Sequence, residues 1–137
     1  MLDHTDLAII SLLKTNCKMR FSDMGELVHL TGQAVSSRIA RLEKEGIIRG
    51  YSVLLDETHL GKTITAYVTV FMKTTNHRDF HVFIKNQDSV REASRISGEG
   101  CYWLKLSVGS ETELNHFLDE ILQFGNYRVN LCIDKIK

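Results

Sequence analysis

The stretch that decides the fold of the first part of the chain runs from residue 31 to residue 46 and reads TGQAVSSRIARLEKEG. Val35, Ile39 and Leu42 recur in it at helical spacing, so they predict an amphipathic helix with one buried face. Thr31 is a suitable N-cap, and Gly46 can end the helix in the left-handed conformation. The stretch therefore predicts one capped helix with polar residues opposite its apolar face.

Two further helices are predicted upstream of this one. Asp3 caps a helix that extends to about Thr15, and Ser22 caps a shorter helix that ends near Leu30. The last two helices are then separated by about three residues, which is typical of a helix-turn-helix motif. Because the second helix of that motif enters the DNA major groove, we expect residues 1–50 to form a DNA-binding domain of the (winged) helix-turn-helix type.

Polar side chains on the second helix of the motif are the candidates for DNA contacts. Gln can pair bidentately with adenine, whereas Ser binds donors and acceptors with little discrimination. Arg can reach guanine or phosphate, although Arg38 and Arg41 can instead pair with Glu45 in the same helix. A plain helical interaction module therefore remains the alternative. The candidate DNA-binding residues are Gln33, Ser36, Ser37, Arg38 and Arg41.

Charge is balanced over the whole chain but not along it. The 137 residues include 17 basic and 17 acidic side chains, which argues against a protein that coats nucleic acid or lipid by bulk charge. Between positions 14 and 49, however, seven basic side chains stand against four acidic ones, a net charge of +3. No apolar run of about 18 residues occurs, so we expect no membrane partner.

Neither metal nor catalytic chemistry is predicted. The three cysteines lack C-x-x-C spacing, which disfavours disulfides and zinc ribbons and suits a reducing cytoplasm. His77 and His81 stand at i and i+4, a spacing compatible with a metal, but no third ligand lies near them in sequence. The chain carries no G-x-S-x-G motif and no P-loop. We therefore expect no catalytic residues, no metal and no cofactor.

After Gly46 the apolar period changes from helical to alternating. Residues 47–55 are rich in β-formers, and 51–62 are predicted to form a β-linker. The predicted elements that follow are strands at 65–72, 90–96, 101–108 and 129–133 and helices at 76–87 and 111–124, the last with Leu122 on its inward face. Their order is β-α-β-β-α-β, so we predict a ferredoxin-like domain over 63–137 and an α+β chain.

A glycine-containing segment joins the two middle strands of that domain. Gly98 and Gly100 allow backbone amides to approach a small anion or carboxylate closely. The alternative is a tight hairpin that needs positive φ angles.

A longer string of residues in the first domain is more specific than a generic helix-turn-helix. It reads Val35-x-x-Arg38-Ile39-x-Arg41-Leu42-Glu43-x-x-Gly46-Ile47-Ile48-x-Gly50-Tyr51, and it is accompanied by Leu2-Asp3-x-x-Asp6-x-x-Ile9 and by Gly98 with Tyr102-x-Leu104-Lys105. With these motifs the chain resembles the Lrp/AsnC (feast/famine) family of prokaryotic transcriptional regulators over essentially its whole length.

The resemblance implies an arrangement and a set of partners. It implies an N-terminal domain that binds double-stranded DNA, joined by a β-linker to a domain for assembly and effector binding. Members dimerise through their sheets, often form octamers, and bind an amino acid or a related metabolite near the glycine hairpin. The effector-binding residues implied here are Gly98, Glu99, Gly100, Cys101 and Tyr102.

Two positions depart from the family pattern. Gly32 stands where members usually carry Pro at the first position of the recognition helix, which leaves the helix start more flexible. Cys101 stands where the leucine-responsive type carries an Asp that holds an ammonium group. Two alternatives follow: the protein lacks an effector, or it binds one through Glu99 and the backbone amides around Gly98 to Gly100.

Three functional hypotheses remain at this point. The first is a sequence-specific regulator tuned by assembly and an effector, and the second is an architectural protein that wraps DNA with little base preference. The third is an enzyme, because some Lrp-like proteins are sirohaem decarboxylases. The side chains available for a tetrapyrrole would be His59, His77, His81, Arg91 and Arg95.

Overall fold

A computed structural model describes residues 1–137 as two compact units, Met1–Leu54 and Leu55–Lys137. The first unit is helical, and the second combines a four-stranded sheet with two helices. The predicted α+β class is therefore confirmed. No helix of the chain has the length and apolar character needed to cross a membrane.

Three helices build the first unit: α1 (His4–Thr15), α2 (Phe21–Val28) and α3 (Gly32–Lys44). Ile9, Met24, Val35 and Ile39 form its buried core, one or two residues from each helix. Residues 29–31 connect α2 to α3, and His29 adopts a left-handed conformation with φ of 57° at the end of α2. The predicted helix-turn-helix motif is thus confirmed.

The helix caps agree with the sequence at two ends and differ at a third. Asp3 and Thr31 cap α1 and α3 with their side chains, as predicted. The prediction that Ser22 caps α2 is wrong, because α2 begins at Phe21 and Arg20 precedes it without a side-chain cap. Ser22 therefore lies inside the first turn, where a hydroxyl has little effect on the helix start.

The segment between α3 and the sheet contains no strand. Residues 47–55, which are rich in β-formers, form no strand, so there is no wing strand. The segment 51–62, expected to form a β-linker, instead contains a 3-10 helix at Glu57–Leu60. An extended segment becomes a strand only when its backbone pairs with another strand, and this chain supplies no partner here. Leu54 is fully exposed, and Val53 and Leu55 are largely exposed.

Four strands form the sheet of the second unit: β1 (Ile64–Met72), β2 (Val90–Arg95), β3 (Tyr102–Val108) and β4 (Gly125–Leu131). Their spatial order is β2-β3-β1-β4, and every neighbouring pair is antiparallel. The helices α4 (His77–Lys85) and α5 (Glu111–Ile121) follow β1 and β3. The predicted β-α-β-β-α-β order is confirmed, although the last strand begins four residues earlier than the expected position 129.

One face of the sheet carries the core of this unit. The alternating residues Ala66, Val68 and Val70 of β1 are fully buried with Leu104 and Leu106 of β3. The helices contribute the remaining core side chains, which include Phe80, Ile84, Leu114, Phe117, Leu118 and Ile121. The prediction that Leu122 also faces inward is wrong, because α5 ends at Ile121 and the Leu122 side chain turns outward, 54% exposed.

The opposite face of the sheet is aromatic and only partly covered. Tyr67 and Trp103 stack with their ring centroids 5.6 Å apart. Farther along β1, the guanidinium of Arg128 lies 5.6 Å from the centroid of the Phe71 ring. These side chains are half-buried within one chain, and we call Tyr67, Phe71 and Trp103 the open sheet face.

Candidate nucleic-acid interface and effector hairpin

The outer side of α3 presents a polar stripe. Gln33, Ser37, Ala40 and Lys44 are exposed along it, on the side opposite the buried Val35, Ile39 and Leu42. Ser36 lies beside the stripe and is half-buried. The structure thus brings Gln33, Ser36 and Ser37 together on one accessible surface of a rigid helix. Lys44 belongs to this surface although the sequence analysis did not select it.

The start of α3 lies very close to α2. The Thr31 hydroxyl accepts a hydrogen bond from the amide of Ala34 at 3.1 Å, which fixes the helix start. A Cβ atom at Gly32 would stand 3.1 Å from the amide nitrogen of Ser22 and 3.3 Å from its Cα. Glycine at this position therefore permits a closer approach of the two helices than a larger residue would.

Arg38 and Arg41 are held by two aspartates of α1. Nη1 of Arg38 donates to Asp3 at 2.6 Å and to Asp6 at 2.8 Å, and Nη2 of Arg41 donates to the other oxygen of Asp6 at 2.6 Å. The Asp6 side chain is almost completely buried, whereas those of Arg38 and Arg41 remain 30% and 38% exposed. Neither arginine forms the ion pair with Glu45 that the sequence analysis considered.

The charges of this cluster stabilise one another. The hydrogen bond from Arg41 and the backbone amide of Asp3 hold the pKa of the Asp6 carboxyl far below its usual range. The Asp3 carboxyl also has a lowered pKa, chiefly because it accepts a hydrogen bond from Arg38. The guanidiniums of Arg38 and Arg41 are thus engaged with α1, and the predicted DNA contacts of these two residues stay predictions.

The segment after α3 is tied back to that helix. The Tyr51 hydroxyl donates a hydrogen bond to Oε1 of Glu43 at 2.7 Å. Partial desolvation of the hydroxyl and its hydrogen bond to the Glu43 carboxylate raise the pKa of Tyr51 to about 12. The hydroxyl therefore stays protonated at physiological pH and keeps its donor role.

In the second unit, the glycine segment forms the hairpin between β2 and β3. Gly98 and Gly100 have φ angles of 85° and 91°, so the predicted need for positive φ is confirmed. A Cβ at Gly100 would also stand only 2.5 Å from Cγ2 of Thr69. The amide of Cys101 donates to the carbonyl of Val70 at 2.7 Å, which leaves the amides before it as the ones a ligand could use.

The five residues implied in effector binding do not share one environment. Glu99 is exposed, Cys101 is half-buried against the core, and Tyr102 is buried. Oε2 of Glu99 lies 3.7 Å from Nη1 of Arg128. Local sequence does not single out Arg128, because it lies on β4 and only the pairing of β4 with β1 brings it near the hairpin.

Four of the five side chains considered for a tetrapyrrole have polar partners within the second unit. His59 pairs with Asp56 at 3.2 Å, and Arg91 pairs with Glu57 at 3.0 Å. His77 and His81 both contact the hydroxyl of Tyr102.

A helix-turn-helix unit followed by an antiparallel sheet with two helices indicates a two-domain DNA-binding protein. Residues 2–43 match the model of the AsnC-type helix-turn-helix domain, and residues 65–137 match that of the Lrp/AsnC ligand-binding domain. The chain therefore belongs to the Lrp/AsnC family of transcriptional regulators.

Known proteins agree with this assignment over nearly the whole chain. The transcriptional regulator LrpB of Bacillus subtilis is 41% identical over 136 residues, which are 99% of this chain and 91% of LrpB. The structure of B. subtilis LrpC superposes with a TM-score of 0.94 at 26% identity and covers 100% of this chain and 98% of LrpC. A regulator of Neisseria meningitidis in complex with L-Met has a TM-score of 0.93 at 24% identity, with coverage of 100% and 93%.

Proposed function

We propose that the protein regulates transcription by binding double-stranded DNA with the polar stripe of α3, as an oligomer that responds to a small effector. The observation that most directly supports this proposal is the polar stripe. Its residues Gln33 and Ser37 project from a capped helix whose opposite side is buried in the core. Ser36 flanks them, and the Asp3 and Asp6 pairs with Arg38 and Arg41 fix the helix orientation. Such a regulator acts in the cytoplasm and is not an enzyme.

Phosphate contacts in this proposal come from side chains that no acid neutralises. Lys18, Lys44 and Arg49 are exposed, whereas Arg20 is paired with Asp23 at 3.2 Å. Phosphate contacts set the register and most of the salt dependence, whereas base contacts set the specificity. We therefore assign Lys44 to the backbone and Gln33 and Ser37 to the bases.

Alanine at the two base-reading positions provides the test. We expect the Gln33→Ala/Ser37→Ala double variant to bind the promoter region of its own gene at least about tenfold more weakly, since each lost base contact costs about 1–3 kcal/mol. Binding to random DNA should change little. The measurement is a gel shift with both DNAs at one fixed salt concentration.

An exposed serine outside the stripe gives the matched control. Ser11→Ala on α1 removes the same hydroxyl and should leave both affinities unchanged. Equal affinity of the wild type for promoter and random DNA at every salt concentration would instead favour the architectural, DNA-wrapping alternative. Unchanged promoter binding by the double variant would refute the assignment of Gln33 and Ser37.

The assembly in this proposal is a homodimer built on the open sheet face, with a higher oligomer such as an octamer formed from dimers. The stacked Tyr67 and Trp103 and the Phe71 ring leave part of their apolar surface uncovered on one chain, and a second copy can cover it. A weakly basic domain binds DNA better when two copies act together. A two-fold dimer would also present two recognition helices to a pseudo-palindromic site.

The effector in this proposal is an amino acid or a related metabolite at the glycine hairpin. Glu99 and Arg128 place a carboxylate and a guanidinium side by side, and both side chains are mostly exposed. Such a pair complements the ammonium and carboxylate groups of an amino acid, with the amides of Gly98 to Gly100 as further donors. The L-Met complex of the Neisseria regulator supports an amino acid as the ligand class.

Neutralising Glu99 tests this site. With L-methionine as the first probe, we expect the Glu99→Gln variant to bind about tenfold more weakly, equivalent to about 1.4 kcal/mol, because the ammonium loses its partner. Titration calorimetry gives the affinity. Glu92→Gln, which removes an exposed acid beside Lys105, serves as the control and should bind like the wild type. Equal losses in the two variants would contradict the site.

A further inference from the structure

We propose that His77, His81 and Tyr102 form a binding site for a divalent transition-metal ion of the Zn²⁺, Ni²⁺ and Co²⁺ type. Nδ1 of His77 lies 2.6 Å from the Tyr102 hydroxyl oxygen, and Nε2 of His81 lies 2.8 Å from the same atom. The sequence showed only two histidines one helical turn apart. The fold adds the third donor from β3.

The chemistry of the three donors suits such an ion. Divalent ions of this type bind well to imidazole nitrogens. Here one ring nitrogen of each histidine turns toward the hydroxyl oxygen of Tyr102. In an octahedral complex with bonds of about 2.1 Å, neighbouring ligand atoms stand about 3 Å apart. The two observed separations, 2.6 and 2.8 Å, are only slightly shorter. Small rotations of the two rings would open the space for the ion.

The site is open on one side and closed on the other. His81 is exposed and His77 is half-buried at the start of α4, whereas the Tyr102 ring is buried and lies 4.5 Å from the Phe80 ring. An ion can therefore enter past the histidines, with water at its remaining positions. Metal binding breaks both hydrogen bonds to the Tyr102 hydroxyl. The imidazole that donates to the phenol oxygen shifts its proton to its other ring nitrogen, and the phenol proton is released to solvent as the ion replaces it.

The donor set favours a reversible site over a permanent one. The chain has no cluster of three or more His, Cys, Asp or Glu side chains that could hold an ion, and structural zinc sites usually need four such ligands. Two imidazoles and a phenol bind more weakly, so occupancy would follow the metal concentration. Because Tyr102 is the first residue of β3 after the hairpin, a bound ion would fix the end of the hairpin to α4.

Metal titration of the full chain tests this site. We expect the protein-bound Co²⁺ to show a visible absorption spectrum typical of nitrogen and oxygen ligands. Calorimetry should show one Ni²⁺ ion bound per chain. His77→Asn and His81→Asn should each lower the Ni²⁺ affinity at least about tenfold, and Tyr102→Phe should lower it about tenfold. Far-UV circular dichroism of each metal-free variant verifies that it is folded.

Histidine and cysteine controls make the outcome decisive. His116→Asn removes an exposed histidine on α5 and should leave binding unchanged. Equal losses in His116→Asn and His81→Asn would overturn the proposal, as would wild-type affinity in Tyr102→Phe. Thiolate charge-transfer bands in the Co²⁺ spectrum that vanish in Cys17→Ser would place the ion at the exposed Cys17 and would likewise overturn it.

Discussion

The Asp6→Asn variant should lose about 3 kcal/mol of unfolding free energy in the helical unit, the lower end of the cost of breaking a buried ion pair. Asp6 is almost fully buried and binds Arg38 and Arg41 at 2.8 and 2.6 Å, so an amide leaves two guanidiniums without their charge partner. The lower end applies because both arginines remain about one-third exposed and can be partly rehydrated.

The two units can be followed separately in one experiment. Trp103 is the single tryptophan and lies in the second unit, so its fluorescence reports the unfolding of that unit alone. Urea unfolding followed by far-UV circular dichroism should show the destabilised helices, while the Trp103 transition stays in place. Asp23→Asn is the matched control, because Asp23 pairs with Arg20 on the surface and such pairs contribute at most about 1 kcal/mol.

The same change should alter the pH dependence of stability. The pKa of Asp6 is lowered in the folded chain, so its stabilisation is complete above its ordinary value and is lost as pH falls through the folded value. The wild type should therefore lose its advantage over Asp6→Asn progressively below about pH 4. A constant difference between neutral and strongly acidic pH would contradict the role of the Asp6 charge.

If the proposed dimer uses the open sheet face, Trp103→Glu should yield a monomer and weaken DNA binding by about 10²–10⁴-fold, the range that linked binding sites gain. A carboxylate in the open sheet face would lose its hydration if two sheets met there, and the variant would also lose the stack with Tyr67. The core on the other face of the sheet is untouched, so the variant should stay folded. Light scattering gives the mass, and a gel shift gives the affinity.

Val82→Glu controls for the added charge. Val82 is an exposed apolar residue on α4, 54% accessible, and it lies away from the open sheet face. Its variant should keep the mass and the DNA affinity of the wild type. If Trp103→Glu also keeps the wild-type mass, the dimer does not use the open sheet face.

The sequence determined the elements and their order. Helical recurrence of Val35, Ile39 and Leu42, and strict alternation of Ala66, Val68 and Val70, can be read from local spacing because each periodicity reflects burial on one side of one element. The strand expected at 47–55 does not form, because a strand also depends on residues far away in the sequence. β-forming residues indicate a strand only if a partner strand exists, and local sequence does not show the partner.

The candidate sites also contain features that the sequence predicts and features that it does not. The exposed stripe of Gln33 and Ser37 follows from helix periodicity, so the sequence could place it. The partners of Arg38 and Arg41 could not be predicted, because Asp3 and Asp6 lie 32 to 35 residues away and an i,i+4 partner, Glu45, stood nearer. Burial decided between them: Asp6 in the interior needs a compensating charge, whereas an exposed Glu45 does not.

The partners of the basic side chains and of the two histidines could be identified only from the tertiary structure. The sequence showed a net charge of +3 between positions 14 and 49. The fold divides those cations into Arg38 and Arg41, which pair with the buried Asp6, and exposed ones such as Lys44. His77 and His81 were a pair without a third ligand until the sheet brought Tyr102 between them. In each case local spacing fixes the face on which a side chain lies, and only the packing of distant segments supplies its partner.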